Sequence, residues 1–210
     1  MAVGRAEPAA GPAPAPGVRV AAPSAWLVLA AGVIGLAASV TLTVEKIRSL
    51  ADAAYVPSCN LNPVLSCGSV MATPQASALG FPNPLIGIAA FTVVTLSGLL
   101  AVMKVPLPRW YWIGLTIGTL AGAGFVHWLI FASLYRIGAL CPYCIVVWAA
   151  TIPLLVVVAS IAATTASGSV GSHPVVAGLV RWRWSLVALW FIALVVLIFV
   201  RFQNYWLTLI

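Results

Sequence analysis

Four cysteines, Cys59, Cys67, Cys141 and Cys144, are the residues of this sequence best suited to chemistry. Cys141-Pro142-Tyr143-Cys144 is a C-x-x-C motif at the head of a long apolar run. Residues three apart on a helix share a face, so the two sulfurs can close a disulfide or open to a dithiol. A helix N-terminus offers unpaired N–H groups and the positive end of the dipole, which favour a thiolate. A lowered pKa raises the thiolate fraction and makes the thiol a better leaving group. Pro142 suits a first helical turn, where its missing N–H costs nothing. Zinc is the alternative for such a pair, but it needs two further ligands. Those would be Cys59 and Cys67, which are not a C-x-x-C pair. The spacing therefore favours redox chemistry, and no metal is expected.

Cys59 and Cys67 have seven residues between them, in a stretch rich in Asn, Pro, Ser and Gly that reads as a loop or turn. A disulfide here could be a simple staple for the loop. A staple does not explain why a second pair sits at the head of an apolar run. Two dithiols suggest a relay, with a mobile loop passing electrons to a fixed pair. Cys144 lies one turn deeper than Cys141 and is expected to face the acceptor. Cys59, further along the loop, is expected to be exposed and to meet a protein partner.

These cysteines must be held by membrane helices. The chain has 210 residues, of which 63% are hydrophobic and 6% charged, and its mean hydropathy is +1.12. A soluble domain carries about 25% charged residues. Too few polar side chains remain here to cover a globule, so a soluble or disordered protein is excluded. A spanning helix needs about 20 apolar residues. Five runs qualify: 25–44, 84–103, 110–135, 139–163 and 184–200. The fold class is therefore an all-α integral membrane protein, with four spanning helices forming a bundle and a fifth beside it. Residues 1–24 read as a disordered Ala/Pro/Gly-rich tail, 25–163 as the bundle with its cysteine loop at 47–83, 164–183 as a cytoplasmic connection, 184–202 as the fifth helix and 203–210 as a short tail.

The net charge of +7 comes from basic residues scattered between apolar runs, which points to topology and not to nucleic acid. With the N-terminus cytoplasmic, six lie inside (Arg5, Arg19, Lys104, Arg109, Arg181, Arg183) and four outside (Lys46, Arg48, Arg136, Arg201). The same orientation places all four cysteines at the oxidising face of a bacterial membrane. Trp110, Trp112, Trp182 and Trp184 fit an interfacial belt. Glu45 and Lys46 mark the lipid–water boundary ending the first helix. Gly114, Gly118, Gly122 and Gly124 suit close helix packing. Pro153 should kink the fourth helix, and His127 is read as structural.

The pattern C-x7-C after the first helix, followed by C-x-x-C opening the fourth, resembles vitamin K epoxide reductase and its bacterial homologues. Thr73, six residues after Cys67, stands where the family carries Ser or Thr, and Asn83 stands at the family's Asn before the second helix. The resemblance covers roughly residues 25–163 and implies that both hydrogen-bond the oxygens of a quinone. Trp148 stands where vertebrate members have a Tyr near the quinone. The chain resembles the split bacterial form, in which the thioredoxin-like partner is a separate protein. What this implies is a thiol oxidoreductase of the cell membrane. It would reoxidise a thioredoxin-fold exported partner and pass the electrons through Cys59–Cys67 and Cys141–Cys144 to menaquinone or ubiquinone, driving disulfide formation in exported proteins. The alternative is a cysteine-dependent metal-handling or transport protein in the lipid bilayer.

Overall fold

The computed structural model describes residues 17–164 and 174–207. The expectations for 1–16, 165–173 and 208–210 lie outside the described residues. In chain order the helices are Ala22–Ala51 (α1), Cys67–Met71 (α2), Asn83–Val102 (α3), Arg109–Ala132 (α4), Pro142–Thr164 (α5), Pro174–Arg181 (α6), Arg183–Arg201 (α7) and Gln203–Leu207 (α8). A 3-10 turn at Pro74–Ser77 follows α2, and α4 continues into a π-helical turn at Ser133–Ile137. Among the described residues five helices are long and apolar enough to cross a membrane. The all-α membrane fold expected from composition is thus the observed one.

Proline sets where the spans begin. Pro23 and Pro84 fall in the first turns of α1 and α3, and Pro142 is the first residue of α5. Their fixed φ suits helix entry, and the N–H they lack has no intrahelical partner there. Because α1 already starts at Ala22, and Val18 N–H donates to Leu107 O at 2.8 Å, the structured chain begins inside the expected tail. Helix α5 runs unbroken through Pro153. The expected connection contains α6, and the expected C-terminal tail contains α8.

The bundle closes on three of its four sides. Helix α1 packs most extensively on α3 and then on α5, while α4 packs on α5. Small residues permit the tight α1–α3 crossing. A Cβ on Gly32 would lie 2.7 Å from Thr95 N, and one on Gly98 would run into the Leu29 backbone. Val28, Leu154, Val157 and Val158 fill the core beside Trp112. Trp112 is fully buried, so it does not belong to the interfacial belt, whereas Trp110, Trp182 and Trp184 are exposed.

The fourth side, between α3 and α4, stays open. Near one end the Ser97 and Tyr111 hydroxyls meet at 2.6 Å. A Cβ added at Gly114, Gly118, Gly122 or Gly124 would meet nothing within 4 Å. These glycines do not mediate helix packing, and the first three line a cavity instead.

Helix α7 lies outside the four, held by His127 and Arg201. His127 Nδ1 contacts Ala123 O at 2.7 Å, and Trp190 Nε1–H donates to His127 Nε2 at 2.9 Å. Those partners require the neutral tautomer protonated at Nδ1. Arg201 Nε–H donates to Leu134 O at 2.8 Å. The structural reading of His127 gains a specific content: it joins the third span to the fifth.

The glycine crossing yields a stability prediction. Gly98→Val should destabilise the protein by about 1–3 kcal/mol, because backbone cannot move aside as a flexible side chain can. Thermal unfolding in detergent should show the lowered midpoint, and Gly114→Val should leave it near wild type.

Candidate active site

The loop after α1 is anchored and folded. Glu45, on the last turns of α1, is buried, with 5% of its surface exposed. Its carboxylate accepts from Tyr55 O–H at 2.8 Å and from Ser58 O–H at 2.6 Å. A buried carboxylate is tolerated when donors surround it. Glu45 is thus an anchor for the segment leading to Cys59, a role beyond the helix-end position expected for it. Asn62 Oδ1 accepts from Val64 N–H at 3.0 Å and Leu65 N–H at 2.7 Å, closing a tight turn. Asn60 Oδ1 accepts from Gly68 N–H at 2.9 Å, which ties the neighbours of the two loop cysteines together. A Cβ on Gly68 would lie 2.9 Å from Asn60 Nδ2. Ser66 caps α2 by accepting from Ser69 N–H.

Cys59 and Cys67 form a disulfide. Cys59 is buried, with 5% exposure, beside Leu42 and Met71. The exposed position expected for it is therefore corrected: Ser58, held by Glu45, stays at the surface, and Cys59 beside it turns under the loop against Leu42 and Met71. The loop is also not the loose tether expected from its composition, because its asparagines and serines satisfy its backbone locally.

The second pair is brought to the first by backbone. Leu140 N–H donates to Val64 O at 2.7 Å, and Ser66 N–H donates to Leu140 O at 2.9 Å. This parallel bridge between Leu65 and Leu140 sets Cys67 beside Cys141. Their Sγ atoms are 3.2 Å apart. Gly138, at φ +71°, makes the turn from the π-helical segment into the bridge, a conformation that favours glycine. Cys141 and Cys144 are free thiols, Cys141 buried and Cys144 half-buried.

Cys141 immediately precedes α5. Its pKa is lowered, first by a hydrogen bond from the Cys144 thiol and further by the backbone N–H groups of Cys144 and Tyr143, against the opposing effect of burial. The backbone of the helix start thus contributes the smaller part of the lowering, and the Cys144 thiol the larger.

Both thiols open onto a cavity of about 550 Å³ bounded by α1, α3, α4 and α5. Its wall is almost wholly apolar. Asn83 and Trp148 lie on it. Asn83 Nδ2–H donates to Gln75 O at 2.7 Å, and Asn83 Oδ1 accepts from Ala78 N–H at 2.9 Å. Trp148 is buried, and its Nε1–H has no partner. Thr73 is not on this wall. Its hydroxyl donates to Val70 O at 2.7 Å, and Val70 is. Lys46 also reaches the wall, with Nζ donating to Met71 O at 2.8 Å. Neither the Glu45 anchor nor this Lys46 contact was foreseen, since an acid and a base at a helix end carry no signal of their targets.

The anchor has a measurable consequence. Glu45→Ala removes charge-assisted hydrogen bonds of about 1.5–3 kcal/mol each. The Cys59–Cys67 disulfide should then be reduced by dithiothreitol about ten- to a hundred-fold faster. Thiol trapping followed by mass spectrometry should read the difference, and an unchanged rate would mean that Cys59 is reached without displacing Ser58.

No curated protein matches the chain. The profile of the vitamin K epoxide reductase family matches residues 26–159. The match opens inside α1 and closes inside α5, so it takes in both cysteine pairs and every residue of the cavity wall. The chain belongs to the vitamin K epoxide reductase family and is a multi-pass membrane oxidoreductase of that family.

Proposed function

We propose that the protein reoxidises a separate thioredoxin-fold thiol oxidase in the exported compartment and delivers the electrons to a membrane quinone, menaquinone or ubiquinone. The observation that carries this reading is the 3.2 Å contact between Cys67 and Cys141 Sγ at the end of an apolar cavity. It joins a disulfide on the loop to a dithiol on the cavity wall, which is the arrangement an exchange relay requires.

The exchange proceeds by thiolate attack at sulfur. A partner thiolate attacks Cys59, and the partner's second thiol resolves that bond, leaving Cys59 and Cys67 reduced. Cys67 then attacks Cys141 of an oxidised Cys141–Cys144 pair and releases Cys144. Cys59 attacks Cys67, re-forms the loop disulfide and releases Cys141. The lowered pKa of Cys141 favours that release. The sequence ends with the loop pair bonded and the helix pair reduced.

The cavity fits a quinone head group. It is apolar, it opens between α3 and α4 toward lipid, and its volume lies within the range of small-molecule sites. When bound, the quinone supplies a two-electron, two-proton acceptor. Asn83 keeps its amide oriented through Ala78 and Gln75, and an amide nitrogen carries two hydrogens, so one remains for a carbonyl oxygen. Trp148 contributes ring surface to the apolar wall, while its Nε1–H is buried beneath that surface without a partner. Thr73 holds the end of α2 through Val70.

The oxidising side of the membrane is assigned to the cysteine end. Lys46, Arg48, Arg136 and Arg201 lie at that end, while Arg19, Lys104 and Arg109 lie at the other, and the excess inside comes from Arg181 and Arg183.

Two measurements test the reading. Purified protein given a reduced thioredoxin-fold dithiol should reduce a soluble quinone, with loss of activity on alkylation of its thiols; reduction that survives alkylation would refute it. Cys59→Ala lacks the resolving thiol and should accumulate a Cys67–Cys141 bond, mapped in peptides after acid trapping. A dominant Cys67–Cys144 bond would instead reverse the two helix cysteines.

A further inference from the structure

Among the described residues Lys46 is the one formally charged side chain on the cavity wall. It sits at the cysteine end. Leu42, one helical turn before it on α1, packs with Cys59, Cys67, Met71 and Cys141, and Met71 is the residue whose carbonyl Lys46 binds. An ammonium beside an apolar wall is costly unless it is paired. Here its partner is a neutral carbonyl, which satisfies one of three hydrogens. The neighbouring acid does not neutralise it, because Glu45 is turned to Tyr55 and Ser58. The cavity therefore offers an uncompensated positive charge to whatever occupies its cysteine end.

We propose that Lys46 is a catalytic residue, an electrostatic site for the acceptor oxygen on which negative charge develops. This rests on the quinone reading above. The exchange balances without consuming Lys46: Cys141 and Cys144 lose two electrons and two protons as their S–S bond forms, and the quinone takes up both. The oxygen would gain its electron pair against a wall that includes Lys46, whose ammonium has given one of its three hydrogens to Met71 O. Fixed charge aimed at developing charge, beside an apolar wall, lowers the barrier to that transfer.

Binding of two probes separates this role from a merely structural tie to Met71. One is a hydroxynaphthoquinone, an acid ionised at neutral pH; the other is its neutral naphthoquinone parent. Lys46→Gln keeps an N–H donor and removes the charge, while Lys46→Arg keeps the charge. In the purified full chain, Lys46→Gln should weaken the anion about tenfold, the scale of one charge-assisted hydrogen bond, and leave the neutral probe within about twofold. Lys46→Arg should restore the anion. Equal weakening of both probes, or no effect on the anion, would overturn the proposal. Wild-type protein supplies a variant-free check: bound hydroxynaphthoquinone should ionise at lower pH than free probe, followed by its visible absorbance, and a rise would equally overturn it. If wild type binds neither probe, the quinone reading itself falls and this inference with it.

Discussion

The two backbone hydrogen bonds across Leu65 and Leu140 fix the register on which the site depends. Side chains alternate along extended chain, so a slip of one residue would turn Cys67 or Cys141 to the opposite side. Side-chain contacts alone would hold two sulfurs loosely. A backbone ladder, short as it is, holds them at 3.2 Å. Each flank of the bridge is built to make it possible. On one side Asn62 closes the turn that brings Val64 and Leu65 around. On the other the π-helical turn ends α4, and Gly138 reverses the chain in a left-handed conformation. Pro142 then starts α5 at once, so Cys141 is held between the bridge and a helix N-terminus.

The cavity follows from which helix pairs are allowed to touch. Helix α1 is drawn onto α3 at Gly32 and Gly98, and α5 is held by α1 and α4. With α1 and α5 in the middle, α3 and α4 stand apart, joined by the hydroxyl pair of Ser97 and Tyr111. Glycine has opposite uses in the two halves of this bundle. In α1 and α3 it lets backbones meet. In α4 its missing side chains leave space, which widens the cavity beside the lipid. The same residue type serves contact in one place and vacancy in the other.

Much of this was legible in the sequence, for identifiable reasons. The five spans follow from the length of apolar runs, because lipid demands that each backbone group be paired within its own helix. The site cysteines follow from C-x7-C and C-x-x-C, and the resemblance they carry agrees with the family match over residues 26–159. What escaped depends on long-range placement. Trp112 and Trp110 look alike in sequence, but residues two apart on a helix point to different faces, so one is core and the other faces outward. Cys59 looked exposed because its neighbours are polar. Ser58 and Asn60 do stay exposed, but they bond to Glu45 and to Gly68 and so hold Cys59 turned under the loop, which no local pattern announces.

Glu45 and Lys46 make the point in the smallest space. Adjacent residues on a helix are turned by about 100°, so a pair that reads as one boundary marker serves two structures. Glu45 faces the loop and holds Ser58, next to Cys59 of the loop disulfide. Lys46 faces the cavity and holds Met71, at the cysteine end. The last turns of α1 therefore brace the loop disulfide and the cavity wall at once. A shift of α1 along or about its axis would move the loop disulfide and the cavity charge together, which ties the geometry of the loop pair to that of the cavity's cysteine end. The tight glycine crossing of α1 on α3 resists such a shift, and that is how packing far from the sulfurs governs their alignment.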